Sequence, residues 1–307
     1  MKTNQVGNFA QDLSEYDEQL FKEYKKVNPV VGVWRRLKKS KLAMLGLFFL
    51  LVLAFAAIFA DFICDYESMA IELNIANRLQ GPSIEHWFGT DGQGRDLFAR
   101  VIHGARVSLG LGLTCTALSA LLGLILGSIC GYFGGVIDNV IMRVLDCVMC
   151  IPGVLMALAL VAAMGQSTAN LIIALTVSYI PSFTRIVRAS VISVAGNEYV
   201  EAARASGLDT PRIISKYILP NAAGPVIVEI TMNVASIIKA VASLSFIGLG
   251  VVPPTPEWGV MLSESREFMR YSPYLVIFPG LAIIITSLAF NLLGDGLRDA
   301  LDPRLKD

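Results

Sequence analysis

The side chains that could carry chemistry in this chain are few and scattered. Cys147 and Cys150 have the spacing of a redox or metal-binding pair, but they lie in an apolar run without a nearby histidine. We therefore predict that they are small buried residues. His86 and His103 stand apart and form no metal-binding pattern. With no nucleophile beside an evident base and no carboxylate pair inside an apolar segment, the sequence predicts that the chain is not an enzyme, holds no metal and binds no cofactor of its own.

A glycine-rich patch at residues 86–96, HWFGTDGQGRD, comes nearest to a phosphate-binding loop. No strand is expected before it and no lysine follows it, and the pattern GxxxxGK[ST] is absent from the whole sequence. These observations exclude a nucleotide site built by this chain. A tight turn leading into a helix that begins near Asp96 accounts for the same residues.

Lys239 lies inside a long apolar segment, residues 222–250. A charge at membrane depth is costly, so such a residue is a functional-site hypothesis by default. Two interpretations stay open for Lys239: it faces a translocation path or a neighbouring subunit, or it has a structural role.

Residues 197–221, NEYVEAARASGLDTPRIISKYILPN, form a polar island between two apolar blocks. The alanine-rich part, 197–206, favours a helix, and Gly207 permits the tight conformation that ends one. The segment could be an ordinary solvated loop between two membrane helices. It also has the size of a hook that fills a groove on a partner.

The second half of this hook has its own start and stop signals. Asp209 or Thr210 can cap a new helix, with Pro211 at its first position, where the missing N–H costs nothing. Pro220 is predicted to end this helix because it cannot donate to it.

The composition indicates the elements that must position these residues. Of 307 residues, 54% are hydrophobic and only 16% are charged, and the mean hydropathy is +0.61. These values predict a polytopic membrane protein in contact with lipid. The formal net charge of zero argues against a nucleic-acid partner. Six spans are predicted, at about residues 42–60, 107–130, 152–164, 170–187, 222–250 and 273–293.

The fold class that follows is all-α, a polytopic membrane bundle of six transmembrane helices with a helical loop on its cytoplasmic side. Four regions are expected in it. They are a cytoplasmic tail (1–41), the first span with an external loop (42–106), a five-helix core that contains the hook (107–293), and a cytoplasmic C-terminal tail (294–307).

Two local contacts follow from spacing. Gly123, Gly127 and Gly131 share one helix face and predict close helix packing, internal or between subunits. A short inside turn is expected at about residues 131–145, and there Arg143 and Asp146, which are three positions apart, can pair on one face.

The distribution of basic residues sets the expected orientation. No cleavable signal peptide is expected before the first apolar run, and a basic cluster at residues 35–41 lies against that run. With both termini inside, 18 of the 25 Lys and Arg residues fall on the cytoplasmic side. The positive-inside rule therefore places the termini and the hook in the cytoplasm.

Several segments resemble a known family. Glu201-Ala202-Ala203, Gly207 and Leu219-Pro220 resemble the "EAA" loop of permease subunits of bacterial ABC importers. The patch GTDGQGRD at 89–96, the segment PPTPEWG at 253–259 and the segment GDGLRDALDP at 294–303 resemble the dipeptide, oligopeptide and nickel branch of that family. Tyr217 stands where that branch usually has a histidine, and Val241 stands where an acidic residue is frequent.

The resemblance implies a function that the chain performs only as part of an assembly. It implies a multi-pass subunit of the bacterial cytoplasmic membrane, paired with a similar permease, two ATPase subunits that use ATP and Mg²⁺, and an external solute-binding protein. The EAA residues named above would then dock on the ATPase. Peptides are the expected solute, with nickel or another small solute as the alternative. A channel or carrier that works without ATP, and a membrane-embedded enzyme, rank below the importer.

Overall fold

The computed structural model describes residues 29–302, which fold into helices joined by turns without a β-strand. The α-helices of this part of the chain are α1 (Pro29–Leu37), α2 (Lys41–Ile58), α3 (Ala60–Ile63), α4 (Leu97–Phe133), α5 (Gly135–Met149), α6 (Gly153–Met164), α7 (Thr168–Ala195), α8 (Glu198–Ala205), α9 (Thr210–Ile213), α10 (Leu219–Phe246), α11 (Trp258–Glu264) and α12 (Tyr274–Leu301). Shorter turns are π-helical at Tyr66–Ile71 and Ile214–Ile218 and 3₁₀ at Ile75–Asn77. The all-α prediction is confirmed.

Five helical segments in the described part of the chain are long and apolar enough to cross a membrane. They are α2, α4, α7, the run Thr210–Phe246 that ends with α10, and α12. Helices α5 and α6 pass the same test only as a pair, and their axes differ by 83°. Pro152, just before α6, lacks the N–H that would continue the first helix into the second. The predicted count of six spans is reached if this bent pair is one span.

Helix α4 begins at Leu97, which confirms the helix start predicted near Asp96, and it includes the span predicted from about residue 107. Asp96 caps it, as its Oδ1 accepts a hydrogen bond from the Ala99 amide at 2.8 Å. The helix has 37 residues, so it is about 55 Å long and reaches from one end of the bundle to the other.

The glycine seam of α4 packs inside the subunit, against α7. A Cβ built on Gly123 would lie 2.4 Å from the Phe183 Cβ, and one on Gly127 would lie 2.6 Å from the Val187 Cβ. Gly131 repeats the arrangement one turn further on. Only glycine lets the two backbones approach this closely. Of the two roles predicted for this face, the structure selects internal packing.

The prediction of a turn over 131–145 is wrong. Helix α4 continues to Phe133, and helix α5 begins two positions later and contains the rest of this stretch. Gly134 and Gly135, with φ of 60° and 58°, turn the chain between the two helices. Cys147 on α5 and Cys150, which follows its last residue, are both exposed, so the prediction that they are buried is wrong as well. Helix α5 packs through one face only, and both cysteines lie off that face.

Ion pairs fasten α5 to α7 in place of the predicted pair of Arg143 with Asp146. Asp146 Oδ1 accepts a hydrogen bond from Arg185 Nη2 at 2.6 Å. Asp138 accepts two hydrogen bonds from Arg188, from Nε and Nη2, both at 2.6 Å. Because α5 runs beside α7, the long arginine side chains of α7 reach across to the carboxylates of α5.

Trp258 is completely buried at the start of α11. Its Nε1 donates a hydrogen bond to the Val101 carbonyl at 3.0 Å. A Cβ on Gly104 would lie 3.0 Å from the indole, so this glycine makes room for the ring. The indole therefore joins α11 to α4 in the core.

Candidate functional site

The hook at residues 197–221 projects from the end of the bundle where α4 and α12 finish. At this end Arg36 Nη1 of α1 donates to the Ala300 carbonyl at 3.3 Å. A Cβ built on Gly224, just after the hook, would lie 3.8 Å from the Leu301 Cβ. The basic N-terminal segment, the end of α12 and the hook thus share one end of the molecule.

Helix α8, the first half of the hook, has one buried side and one exposed side. Val200 and Ala203 are buried in an apolar cluster with Val187 and Val191 of α7. Four exposed residues of α8 lie along one face of the helix and are called here the exposed stripe: Glu198, Glu201, Ala202 and Ala205. Two of the predicted docking residues, Glu201 and Ala202, therefore lie on the surface, whereas Ala203 anchors the helix from below.

Gly207 ends α8 as predicted. Its φ is +74°, in the left-handed region. The Leu208 amide donates to the Ala203 carbonyl at 3.3 Å and the Gly207 amide donates to the Arg204 carbonyl at 2.9 Å. This pair of bonds is a Schellman motif, which a residue with a Cβ enters only with strain.

The second half of the hook starts as predicted, with Asp209 before the helix and Pro211 in its first turn. Asp209 caps by position only, because its side chain makes no capping hydrogen bond. Ile213 and Ile218 are buried in the same cluster as Val200. Both halves of the hook are therefore fixed to the bundle by apolar contacts.

The prediction that Pro220 ends this helix is wrong. The chain stays helical from Thr210 to Phe246, because a π-helical turn at Ile214–Ile218 precedes the proline. The wider turn absorbs the ring and the missing N–H, and Asn221 Nδ2 donates to the Tyr217 carbonyl at 2.7 Å. Leu219 is partly buried and Pro220 is exposed. Hook and span are therefore one continuous element.

Arg204, which sequence reasoning did not single out, joins the hook to α4. Its Nε donates to the Tyr132 hydroxyl at 3.2 Å, and its guanidinium lies 4.8 Å from the centre of that ring. The contact links the exposed helix to the last turn of the longest helix in the described part of the chain. The sequence feature that could have pointed to Arg204 is a charged side chain inside the alanine-rich EAA segment.

Two ionisable residues lie in α10. Lys239 is exposed on the surface of this chain, and the structure does not test whether it faces a translocation path. Glu229, which sequence reasoning missed, is partly buried. Its Oε1 accepts hydrogen bonds from Ser182 Oγ and Asn233 Nδ2, both at 2.8 Å. Glu229 could have been found from the sequence, because it is an acidic residue inside the apolar run VIVEITM.

The opposite end of the bundle holds a buried ionic network, called here the outer network: Asp91, Arg95, Arg100 and Glu264. Asp91 Oδ2 accepts from Arg95 Nε at 2.7 Å and from Arg100 Nη1 at 2.6 Å. The two arginines also bind Glu264 Oε2, at 2.9 and 2.8 Å. The network ties the glycine-rich patch to α11.

The positive charges beside Asp91 lower the pKa of its carboxyl group. Burial alone would raise the pKa of this carboxyl, but the guanidiniums of Arg100 and Arg95, together with hydrogen bonds from the Gln93 and Arg95 amides, lower the pKa below its ordinary value. Gly94, with φ of +80°, lies so close to the Asn74 carbonyl that a Cβ would overlap it. A structural role in bracing the outer end accounts for this patch.

No group of three or more metal-binding side chains occurs among residues 29–302. The hook exposes an acidic and alanine stripe on a helix whose other side is fixed to the bundle.

Comparisons with known proteins agree over most of the chain. The family model described as "Binding-protein-dependent transport system inner membrane component" matches residues 123–307. The model described as "N-terminal TM domain of oligopeptide transport permease C" matches residues 28–82. The hook, α7 and α10 lie inside the first match, and α1 and α2 lie inside the second.

Individual relatives are similar along nearly their whole length. The dipeptide transport system permease protein DppC of Alkalihalophilus pseudofirmus is 45% identical over 284 residues, which are 92% of this chain and 93% of the relative. The glutathione transport system permease protein GsiD of Escherichia coli O157:H7 is 44% identical over 273 residues, which are 89% of this chain and 90% of the relative.

Solved structures share the fold at low sequence identity. A chain of the inward-facing MetNI methionine ABC transporter matches with a TM-score of 0.56 and 17% identity, over 67% of this chain and 98% of its own length. A chain of an amino acid ABC transporter with histidines matches with a TM-score of 0.51 and 17% identity, over 66% of this chain and 94% of its own length.

Proposed function

The chain belongs to the family of binding-protein-dependent transport system inner membrane components, and from this premise we propose that residues 197–221 couple it to an ATPase. It is a multi-pass membrane permease subunit of an ABC importer. The observation that carries the coupling role is the exposed stripe of α8, presented on a helix whose other side is buried. Glu201 and Ala202 make the contact, and Gly207 holds the bend behind them.

A movement of the hook moves the helix bundle, because the hook is packed against the bundle and continuous with one of its spans. Apolar side chains fix α8 to α7, and the second half of the hook is continuous with α10. A displacement of the hook by an ATPase is therefore passed to both spans at once. Such a rigid-body movement switches the bundle between states open to either side. The binding and hydrolysis of ATP, with its Mg²⁺, take place on the ATPase.

The assembly pairs this chain with a similar permease, two ATPase subunits and an external solute-binding protein. Its termini and hook lie in the cytoplasm. The basic residues of the segment before α2 support this orientation, since they lie at the hook's end of the bundle. The cargo is a peptide, as the names of the dipeptide and glutathione permeases suggest. Nickel or another small solute is the alternative that transport assays separate.

Copurification tests the coupling role. Tagged wild-type chain, expressed with its importer subunits, is expected to retain the ATPase after solubilisation in detergent. Glu201→Lys reverses the central charge of the stripe and is expected to lose most of the bound ATPase. Glu85→Lys, on an exposed loop outside the hook, is the matched control and should retain it. Normal ATPase recovery with Glu201→Lys would refute the assignment of the stripe.

A further inference from the structure

Glu229 has an arrangement that internal packing alone does not explain. It lies in the apolar part of the run Thr210–Phe246, beyond the hook, where a carboxylate is expensive. Ser182 and Asn233 orient its Oε1 by two hydrogen bonds of 2.8 Å. Among the described residues no cation pairs with Glu229 and no donor binds its Oε2. Asp138, by contrast, is held by both nitrogens of Arg188. The carboxylate is therefore positioned but not neutralised.

Glu229 lines a cavity of about 380 Å³ between α7, α10 and the end of α12. Much of the wall is apolar, from Ile186, Val228, Met232 and Leu301. Arg298 of α12 also lines the cavity, and its guanidinium makes no ion pair or hydrogen bond with a residue of the range 29–302. Asp302 lines the cavity as well and is already engaged in an interaction. The volume falls within the range of small-molecule sites, about 300–1,000 Å³.

We infer that this cavity binds a zwitterionic solute of dipeptide size, with its ammonium group on Glu229 and its carboxylate on Arg298. The inference rests on the proposed function as a peptide permease. One unneutralised carboxylate, one unpaired guanidinium and apolar walls match the two charged ends and the side chains of such a solute. The cavity lies toward the hook's end of α10 and α12, so the solute would occupy it on the cytoplasmic side of the pathway.

Direct binding to the assembled permease complex tests the inference. The complex of this chain with its partner permease and ATPase subunits is placed in lipid nanodiscs without the solute-binding protein, and radiolabelled alanyl-alanine is the probe. Glu229→Gln keeps the size of the side chain and removes its charge. We expect it to weaken binding about tenfold to a hundredfold, the range for a lost charge-assisted hydrogen bond. Equal affinity in wild type and variant would overturn the inference.

Blocked ligands identify which group meets which residue. N-acetyl-alanyl-alanine lacks the ammonium group, so it should bind wild type more weakly and lose nothing further in Glu229→Gln. The C-terminal amide of alanyl-alanine should behave in the same way toward Arg298→Gln. A purely structural role for Glu229 predicts that acetylation weakens binding equally in both proteins, which would overturn the assignment.

A control separates this inference from the proposed function. Asp295→Asn changes an exposed carboxylate of α12 that does not line the cavity, and it should bind alanyl-alanine as wild type does. Copurification of the ATPase is measured on every variant. Loss of peptide binding with the ATPase retained supports the cavity. No peptide binding by a wild-type complex that retains its ATPase overturns the cavity and leaves the coupling role standing. A chain that brings down no ATPase contradicts the proposed function.

Discussion

The two ends of α4 are held by different forces. At the hook's end, apolar side chains and a Schellman turn fix α8, and the acidic residues Glu198 and Glu201 stay exposed. At the other end, Asp91 and Glu264 form ion pairs with two buried arginines. The hook's end leaves these carboxylates exposed, whereas the end that holds a loop against α11 pairs its carboxylates internally.

The difference predicts where substitutions act. Changes in the outer network should reduce the stability of the protein itself. Changes in the exposed stripe should leave the folded chain intact and alter what it binds.

Removal of the shared acceptor of the outer network should have the largest effect. Asp91→Ala leaves two buried guanidiniums without their carboxylate, and breaking such a pair costs about 3–5 kcal/mol of stability. The loss of stability is measured as a lower melting temperature in thermal unfolding of the purified complex in detergent. Glu85→Ala, which removes an exposed carboxylate of the same loop, is the control. Equal melting temperatures for the two variants would show that the outer network does not hold this end.

Acid should weaken the outer end by a smaller amount. The folded pKa of Asp91 lies below its ordinary value of 3.8, because the two arginines and the hydrogen bonds from the Gln93 and Arg95 amides together outweigh burial. Its contribution to stability is therefore present above about pH 4 and is lost as the pH falls through the folded value. We expect the melting temperature of wild type to fall more between pH 5 and pH 3 than that of Asp91→Asn. Parallel curves for the two proteins would contradict this.

The bend of the hook should respond to a single methyl group. Gly207→Ala forces an L-residue to φ of +74°, at a cost of about 1–2 kcal/mol. We expect less ATPase to copurify, with little change in the melting temperature of the bundle. Gly196→Ala is the matched control, because Gly196 has φ of −87° and open space around its Cα. If both variants recover ATPase equally, the bend is not needed for docking.

The smallest effect is expected from the contact that fastens α8 to α4. Arg204→Ala removes a hydrogen bond to Tyr132 and a cation–π contact, together worth about 1 kcal/mol at an exposed site. Hydrogen exchange of the α8 amides should become severalfold faster. Tyr132→Phe keeps the ring and should produce only part of the change. Unaltered exchange in Arg204→Ala would mean that the apolar cluster alone holds the helix.

Local signals in the sequence were sufficient for much of the site. Gly207 and Pro211 act on their own backbone, so their roles were predicted and the structure confirms the turn and the helix start. The same local rule was misleading at Pro220, because a π-helical turn upstream absorbs the proline. The effect of a proline depends on whether neighbouring turns can widen, and the residue type alone does not report that.

By itself the sequence determined the all-α membrane class, the approximate spans and the surface hook, because these depend on hydropathy and on residues close together along the chain. Only the tertiary structure decided that Asp138 and Asp146 pair with α7, that Trp258 is buried, and that Glu229 shares a cavity with Arg298. Burial and ion pairing depend on which helices meet. In this chain those meetings join residues tens to more than a hundred positions apart.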